Sequence, residues 1–151
     1  MRIAQRLSTW RALGPEKRWT VLGHMMALPV VAVLIRVMGV MRTVRLAERT
    51  SVRQPPRSAT QRDIDSARSL MQLTQTAGTR GPVDASCLRQ SVWVYWLLRR
   101  RGLSPKLQIG VRRLGDDLDA HAWVEFQGNA LGAGPESHVI IGQLNGHPAV
   151  S

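Results

Sequence analysis

The chain has 151 residues, enough for one domain with a buried core, and its single cysteine excludes an intramolecular disulfide. No cysteine and histidine residues have the spacing of zinc ligands, so no metal site is expected. The formal net charge of +11 is unevenly distributed along the chain. Residues 1–62 hold twelve Arg and Lys against two Glu, a net +10, whereas residues 63–151 hold nine against eight Asp and Glu, a net +1. The basic part favours an acidic partner: nucleic acid, anionic lipid, or an acidic protein or peptide.

The N-terminal region is predicted to be helical. A short basic helix is expected over residues 2–13, and a second helix from Pro15 to about Glu48 with a kink or break at Pro29. The longest apolar run, residues 25–35, is too short to span a bilayer and predicts a buried or interfacial helix of a soluble protein. Peripheral membrane contact is the alternative, because basic residues follow closely. These are Arg42, Arg45, Arg49 and Arg53.

A proline-containing linker between residues 50 and 60 is predicted to separate this extension from the rest of the chain. We therefore divide the sequence into a basic helical extension, residues 1–57, and a second unit, residues 58–151. Thr60 and Asp63 resemble a capping box at the start of a further helix, which Gly78 is expected to stop.

The second half predicts a helix followed by an antiparallel sheet. Asp84 or Ser86 can cap a largely buried helix over about residues 85–101, and Gly102 can end it. Strands are expected at residues 106–113, 120–127 and 138–142 because apolar and polar residues alternate or apolar residues cluster there. The pattern is typical of the α+β class.

Cys87 and His121 are the candidate catalytic residues. A thiolate at a helix N-terminus is stabilised by unpaired backbone N–H groups, and a neighbouring imidazole can take and return a proton. Taken alone, a cysteine in a helix is more often a small buried residue, and a histidine at a strand start is more often structural. His24, His138 and His147 show no partner pattern and are assigned no role.

The order of several short segments is more specific than this pair. Cys87-Leu88-Arg89-Gln90-Ser91 is followed by Leu107-Gln108-Ile109-Gly110-Val111 and then by Asp119-Ala120-His121-Ala122-Trp123-Val124-Glu125. This series resembles the B-type maturation proteins of lasso peptide biosynthesis, leader peptidases of the transglutaminase-like superfamily. The resemblance implies a transglutaminase-like or papain-like core, in which a cysteine-bearing helix packs on a small antiparallel sheet, here with a basic N-terminal helical extension.

The resemblance also implies a mechanism. Cys87 would attack the scissile carbonyl at the junction of leader and core in a ribosomal precursor peptide, with His121 as general base and then acid and without a cofactor. Backbone N–H groups near Cys87 would hold the oxyanion. The family usually supplies an aspartate about a dozen residues after the histidine, and this sequence has none there. Asn129 or Glu136 is the candidate to orient His121, or the pair acts alone; Asp119, two residues before His121, is the less favoured position.

The expected partners follow from the same resemblance. They are the precursor peptide, a separate leader-recognition protein and an ATP-dependent lasso cyclase, in the bacterial cytoplasm with membrane association as an alternative. Nucleic acid is not expected, because no recognition motif accompanies the basic residues. Two rival functions remain: another acyl-transfer enzyme on the same scaffold, and a degenerate binding module in which Cys87 is only a core residue.

Overall fold

In the computed structural model, the described residues are 14–51, 57–80, 86–115, 117–132 and 138–143. Four helices precede a sheet of four strands. The helices are α1 (Pro15–Met38), α2 (Val40–Ser51), α3 (Gln61–Arg80) and α4 (Cys87–Arg100), and the strands are β1 (Lys106–Leu114), β2 (Asp117–Phe126), β3 (Asn129–Leu131) and β4 (Val139–Gln143). The α+β prediction is confirmed. The predicted helix over residues 2–13 lies outside the described residues.

The break in the N-terminal helical region lies at Gly39. Of the kink or break predicted at Pro29, the break is wrong, because the helix is continuous there. α1 continues through Pro29 to Met38, and Gly39 follows with a φ of 80°, which favours glycine over other residues. The Gly39 N–H donates to the Ile35 carbonyl and its own carbonyl accepts from the Thr43 N–H, so Gly39 bonds to the end of α1 and to the start of α2.

The start of α3 is the capping box that the sequence predicts, with aspartate in place of glutamate. The Thr60 N–H donates to Oδ2 of Asp63 at 2.8 Å, and the Asp63 N–H donates to Oγ1 of Thr60 at 3.4 Å. The Arg57 guanidinium also binds this carboxylate, and it holds the pKa of Asp63 well below its usual range. The prediction that Gly78 ends the helix is wrong: Gly78 is buried inside α3, where glycine costs only about 1 kcal/mol relative to alanine.

The sheet is antiparallel, with strand order β3-β2-β1-β4. The three predicted strands are present with shifted ends, whereas β3, only three residues long, was not predicted. Since side chains alternate along a strand, Val124 and Phe126 face the helices, and Asp119, His121 and Trp123 share the opposite side of β2. β3 pairs only with residues 124–126, so it leaves the earlier part of β2 uncovered on that edge.

One buried cluster joins the helices to the sheet. Tyr95 and Leu98 of α4 pack there with Leu107, Val124 and Leu131 of the strands. Val31 of α1 and Val44 of α2 belong to the same cluster. The predicted boundary at residue 57 stays a prediction, but the helices on its two sides share this core.

The helix α1 is also long and apolar enough, over Trp19–Met38, to cross a membrane by length and composition, with 22% of that segment buried in the protein. The core helix of a soluble protein passes the same test of length and composition.

Candidate active site

Cys87 is the first residue of α4, as predicted, and its thiol is half-buried. Ser86 is the N-cap residue, but its side chain makes no capping hydrogen bond; Asp84, the other predicted cap, lies outside the described residues. The first backbone N–H groups of a helix have no partner within it and carry a partial positive charge. Cys87 therefore stands where these N–H groups can face an oxyanion that develops beside its sulfur.

His121 lies on β2, and the structure brings it to the same cleft as Cys87. The cleft is lined by Met71, Gln75, Cys87, Gln90, Ser91, His121, Ala122, Trp123 and Leu131. It holds about 20 Å³, which is space for about one water molecule. Cys87 and His121, 34 positions apart in the chain, thus both line this cleft, although the His121 side chain lies on the side of β2 opposite the helices.

A hydrogen bond from Ser91 holds the start of α4 beside β2. Oγ of Ser91 donates to the carbonyl of Ala122 at 3.0 Å, and both groups are buried. Ser91 follows Cys87 by four residues, so the two side chains lie on one face of α4. Since Ala122 directly follows His121, this bond ties the cysteine-bearing turn to the histidine-bearing strand.

A second histidine lies beside His121. His138, just before β4, is 6% exposed, and its ring centroid is 5.4 Å from that of His121. Trp123 packs against both rings, with centroids 6.0 Å from His121 and 6.4 Å from His138. Gly110 of β1 leaves room for this arrangement, because a Cβ there would lie 2.9 Å from Cη2 of Trp123 and 3.0 Å from Cβ of His138.

Asp119 contacts this second histidine. Its Oδ2 lies 3.5 Å from Nε2 of His138 and accepts a hydrogen bond from Nε of Arg112 at 2.8 Å. The Arg112 hydrogen bond is the main reason that the pKa of Asp119 is lowered from its ordinary value. Asp119 thus lies on the same side of β2 as His121, with its carboxylate directed to Arg112 and His138.

The structure does not bring Asn129 to His121. Asn129 pairs with Phe126, five residues further along β2, which corresponds to about 16 Å at about 3.3 Å per residue. Its Nδ2 donates to the carbonyl of Gln127, and its Oδ1 lies 3.5 Å from a guanidinium nitrogen of Arg68. Glu136 lies outside the described residues, so its role stays a prediction.

Sequence reasoning missed three side chains near the site. His138 was assigned no role from the sequence, because the residues around it in the chain do not indicate that β4 pairs with β1 beside Gly110. Gln75 and Gln90 line the cleft and bring amide groups to it. Within the described part of the chain, no group of three His, Cys, Asp or Glu side chains could hold a metal ion.

Comparison with known proteins agrees with this architecture. The family model of the transglutaminase-like superfamily matches residues 30–140, most of the chain, including Cys87, His121 and the first three strands of the sheet. No curated protein and no solved structure matches the chain. The cysteine-bearing helix and its antiparallel sheet confirm the predicted core. On this family match, the chain belongs to the transglutaminase-like superfamily, whose members are mostly cysteine-type enzymes.

Proposed function

We propose that this protein is a cysteine peptidase that removes the leader from a lasso peptide precursor. The observation that carries the proposal is the convergence of Cys87 and His121 on one cleft at the N-terminus of α4. The superfamily supplies the chemistry, since it includes cysteine peptidases and acyltransferases. The lasso substrate rests on the ordered sequence segments around Cys87, Gly110 and His121.

In this proposal the thiolate of Cys87 attacks the carbonyl carbon of the scissile peptide bond. The first N–H groups of α4 face the oxygen on which negative charge develops. His121 accepts the thiol proton and delivers it to the leaving amine, which becomes the new N-terminus of the core peptide. A water molecule then hydrolyses the thioester, frees the leader carboxylate and restores the thiol.

The narrow cleft bears on how a substrate binds. A space for about one water molecule does not hold a peptide side chain, so the scissile bond must pass across the open edge of β2 or the cleft must widen on binding. A separate leader-recognition protein that presents the peptide would supply the binding energy that this cleft does not. The cyclase would then act on the freed core.

The direct test is mass spectrometry of a candidate precursor incubated with this protein and its recognition partner. Wild type and Cys87→Ala are compared, with Ser104→Ala, an exposed position after α4, as a matched control. A single cut at the leader–core junction with wild type and control, absent with Cys87→Ala, supports the peptidase. Transfer of the acyl group to an added amine without hydrolysis would indicate another acyl-transfer enzyme. No reaction despite confirmed leader binding would favour the binding module.

A further inference from the structure

One side of α1 is apolar and exposed along most of its length. We name this surface the α1 stripe and define it as Trp19, Leu22, Met26, Val30, Val33 and Val37. Trp19, Met26 and Val37 keep 75%, 76% and 77% of their surface exposed. Spacings of three or four residues align the six side chains, and 18 residues at about 1.5 Å each give a length of about 27 Å. A soluble surface rarely leaves so continuous an apolar patch without a partner.

The chemistry of the stripe favours an apolar occupant. The sequence from Trp19 to Ile35 contains no Asp, Glu, Lys or Arg, and His24 lies on the buried side of the helix. Apart from the Trp19 indole, the stripe side chains offer no hydrogen-bond donor, and the Met26 sulfur is only a weak acceptor. Protein interfaces typically make about one hydrogen bond per 100–200 Å². Lipid acyl chains need no hydrogen bonds from the surface that they cover, and tryptophan is enriched at the boundary between hydrocarbon and headgroups.

The charges that follow the stripe along the chain indicate the sign of the charge on the partner. Arg42, Arg45 and Arg49 are exposed on α2, opposite its buried face. The one acidic residue of α2, Glu48, accepts a hydrogen bond from the Tyr95 hydroxyl at 2.7 Å. Residues 1–62 carry a net charge of +10, so a second copy of the same surface would meet repulsion. An anionic surface meets attraction instead.

We propose that the α1 stripe and the α2 arginines dock this protein on an anionic membrane surface. The stripe enters the boundary between headgroups and acyl chains, and the guanidinium groups contact lipid phosphates. An apolar groove of about 370 Å³ between α1, α2 and α4 extends this surface, since Val30 belongs to both. The inference does not depend on the proposed peptidase activity.

The opposite side of α1 argues for peripheral docking. Val21, His24, Leu28 and Val31 are buried against the rest of the protein. Nδ1 of His24 lies 2.7 Å from Oγ1 of Thr74 in α3, within the protein interior. A spanning α1 would have to leave these contacts, whereas a helix lying along the membrane keeps them.

The test uses the full chain and preformed vesicles, either of phosphatidylcholine alone or with about one-third phosphatidylglycerol, separated by flotation. We expect the partition coefficient to be at least about tenfold higher on the anionic vesicles, since each surface arginine adds attraction. Met26→Gln/Val33→Gln should lower it about tenfold, because polar groups replace buried apolar ones. The matched control, Leu118→Gln/Ile141→Gln, changes two exposed apolar residues of the sheet and should bind as wild type.

A second pair of variants tests the charges. Arg42→Gln/Arg45→Gln/Arg49→Gln should lose most of the preference for anionic vesicles, and Arg62→Gln/Arg68→Gln/Arg113→Gln, which removes equal charge elsewhere, should keep it. Thermal unfolding of each variant in solution checks that it folds. Equal binding to both vesicle types, or unchanged binding of Met26→Gln/Val33→Gln, overturns the proposal. A soluble dimer that Met26→Gln/Val33→Gln dissociates, with no vesicle binding by wild type, also overturns it. So does vesicle-bound protein that alkaline carbonate fails to extract, because α1 then spans the bilayer.

Discussion

The imidazole rings of His121 and His138 lie side by side next to Gly110, with centroids 5.4 Å apart. They come from different elements: His121 belongs to β2, and His138 precedes β4, on the far side of β1. Because Gly110 of β1 has no side chain, the His138 ring can lie over β1 and approach His121. The candidate general base is therefore held by a buried aromatic neighbour, and Asp119 contacts that neighbour.

Replacing either candidate catalytic residue should abolish cleavage without unfolding the protein. Cys87→Ala removes the nucleophile and His121→Ala the proton carrier, so each should lower kcat at least about a thousandfold. Cys87 is half-buried and both side chains line a cleft, so thermal unfolding should change little. The double variant should be no worse than either single one. If the loss of kcat in the double variant equals the product of the two single losses, Cys87 and His121 do not act in one mechanism.

Ser91→Ala should loosen the attachment of α4 to β2. It leaves the buried Ala122 carbonyl without the Ser91 hydroxyl, which we expect to cost about 1–2 kcal/mol in the free energy of unfolding. Displacement of Cys87 relative to His121 should also lower kcat with little change in KM. Ser69→Ala, an exposed serine of α3, is the matched control for denaturant melts and kinetics. A change in KM alone would speak against a positioning role.

His138→Ala should impair cleavage through His121. Loss of the ring that packs on His121 and Trp123 frees His121 to leave its productive orientation, and we expect kcat to fall about tenfold or more. Ile141→Ala removes an exposed side chain from the adjacent strand and should leave kcat unchanged. His138→Phe, which restores an aromatic ring, should recover part of the loss. If His138→Phe is as impaired as His138→Ala, packing is not the reason.

Gly110→Ala should destabilise the sheet at the site. The new methyl group would lie 2.9 Å from Trp123 and 3.0 Å from both His138 and the Val139 carbonyl oxygen. Such overpacking typically costs about 1–3 kcal/mol, and the backbone contact cannot be relieved by a rotamer change. Gly142→Ala is the matched control, because a Cβ there meets nothing within 4 Å. Equal melting temperatures for the two variants would show that Trp123 and His138 do not pack tightly against Gly110.

His24 should make the protein less stable in mild acid. Burial, with a smaller effect of the Arg101 charge, lowers the pKa of His24 to about 4 from an ordinary 6.5. Between pH 6.5 and 4 the unfolded chain therefore binds a proton that the folded protein does not, so the free energy of unfolding falls as pH drops through this range. The loss should reach at most about 3 kcal/mol.

His24→Gln should remove this dependence. Glutamine does not titrate in this range, so the variant pays its own packing cost equally at pH 7.5 and pH 4.5. Chemical denaturation at both values measures the difference. A pH dependence identical to that of wild type would assign the acid sensitivity to other groups.

Much of the local structure followed from the sequence, because its causes are local. Thr60 and Asp63 predicted a helix start, Gly102 a helix end, and alternating residues the two long strands, since caps, turns and alternation act over a few residues. The same reasoning failed at Pro29 and Gly78, where the packing of α1 and α3 outweighs a backbone cost of about 3 kcal/mol for proline and about 1 kcal/mol for glycine inside a helix. The sequence alone was enough to select Cys87 and His121 as the candidate catalytic residues, because of their chemistry and the order of the short segments around them.

The arrangement around these two residues was decided only by the tertiary structure. His138 reaches His121 because the sheet order places β4 beside β1 and Gly110 leaves the space. Asn129, near His121 in the chain, is carried away by the extended β2. The apolar helix α1 was visible in the sequence, but which side remains exposed depends on what packs against the other. Residue chemistry and local pattern are thus read from sequence, whereas proximity between distant residues arises only when the chain packs into one core.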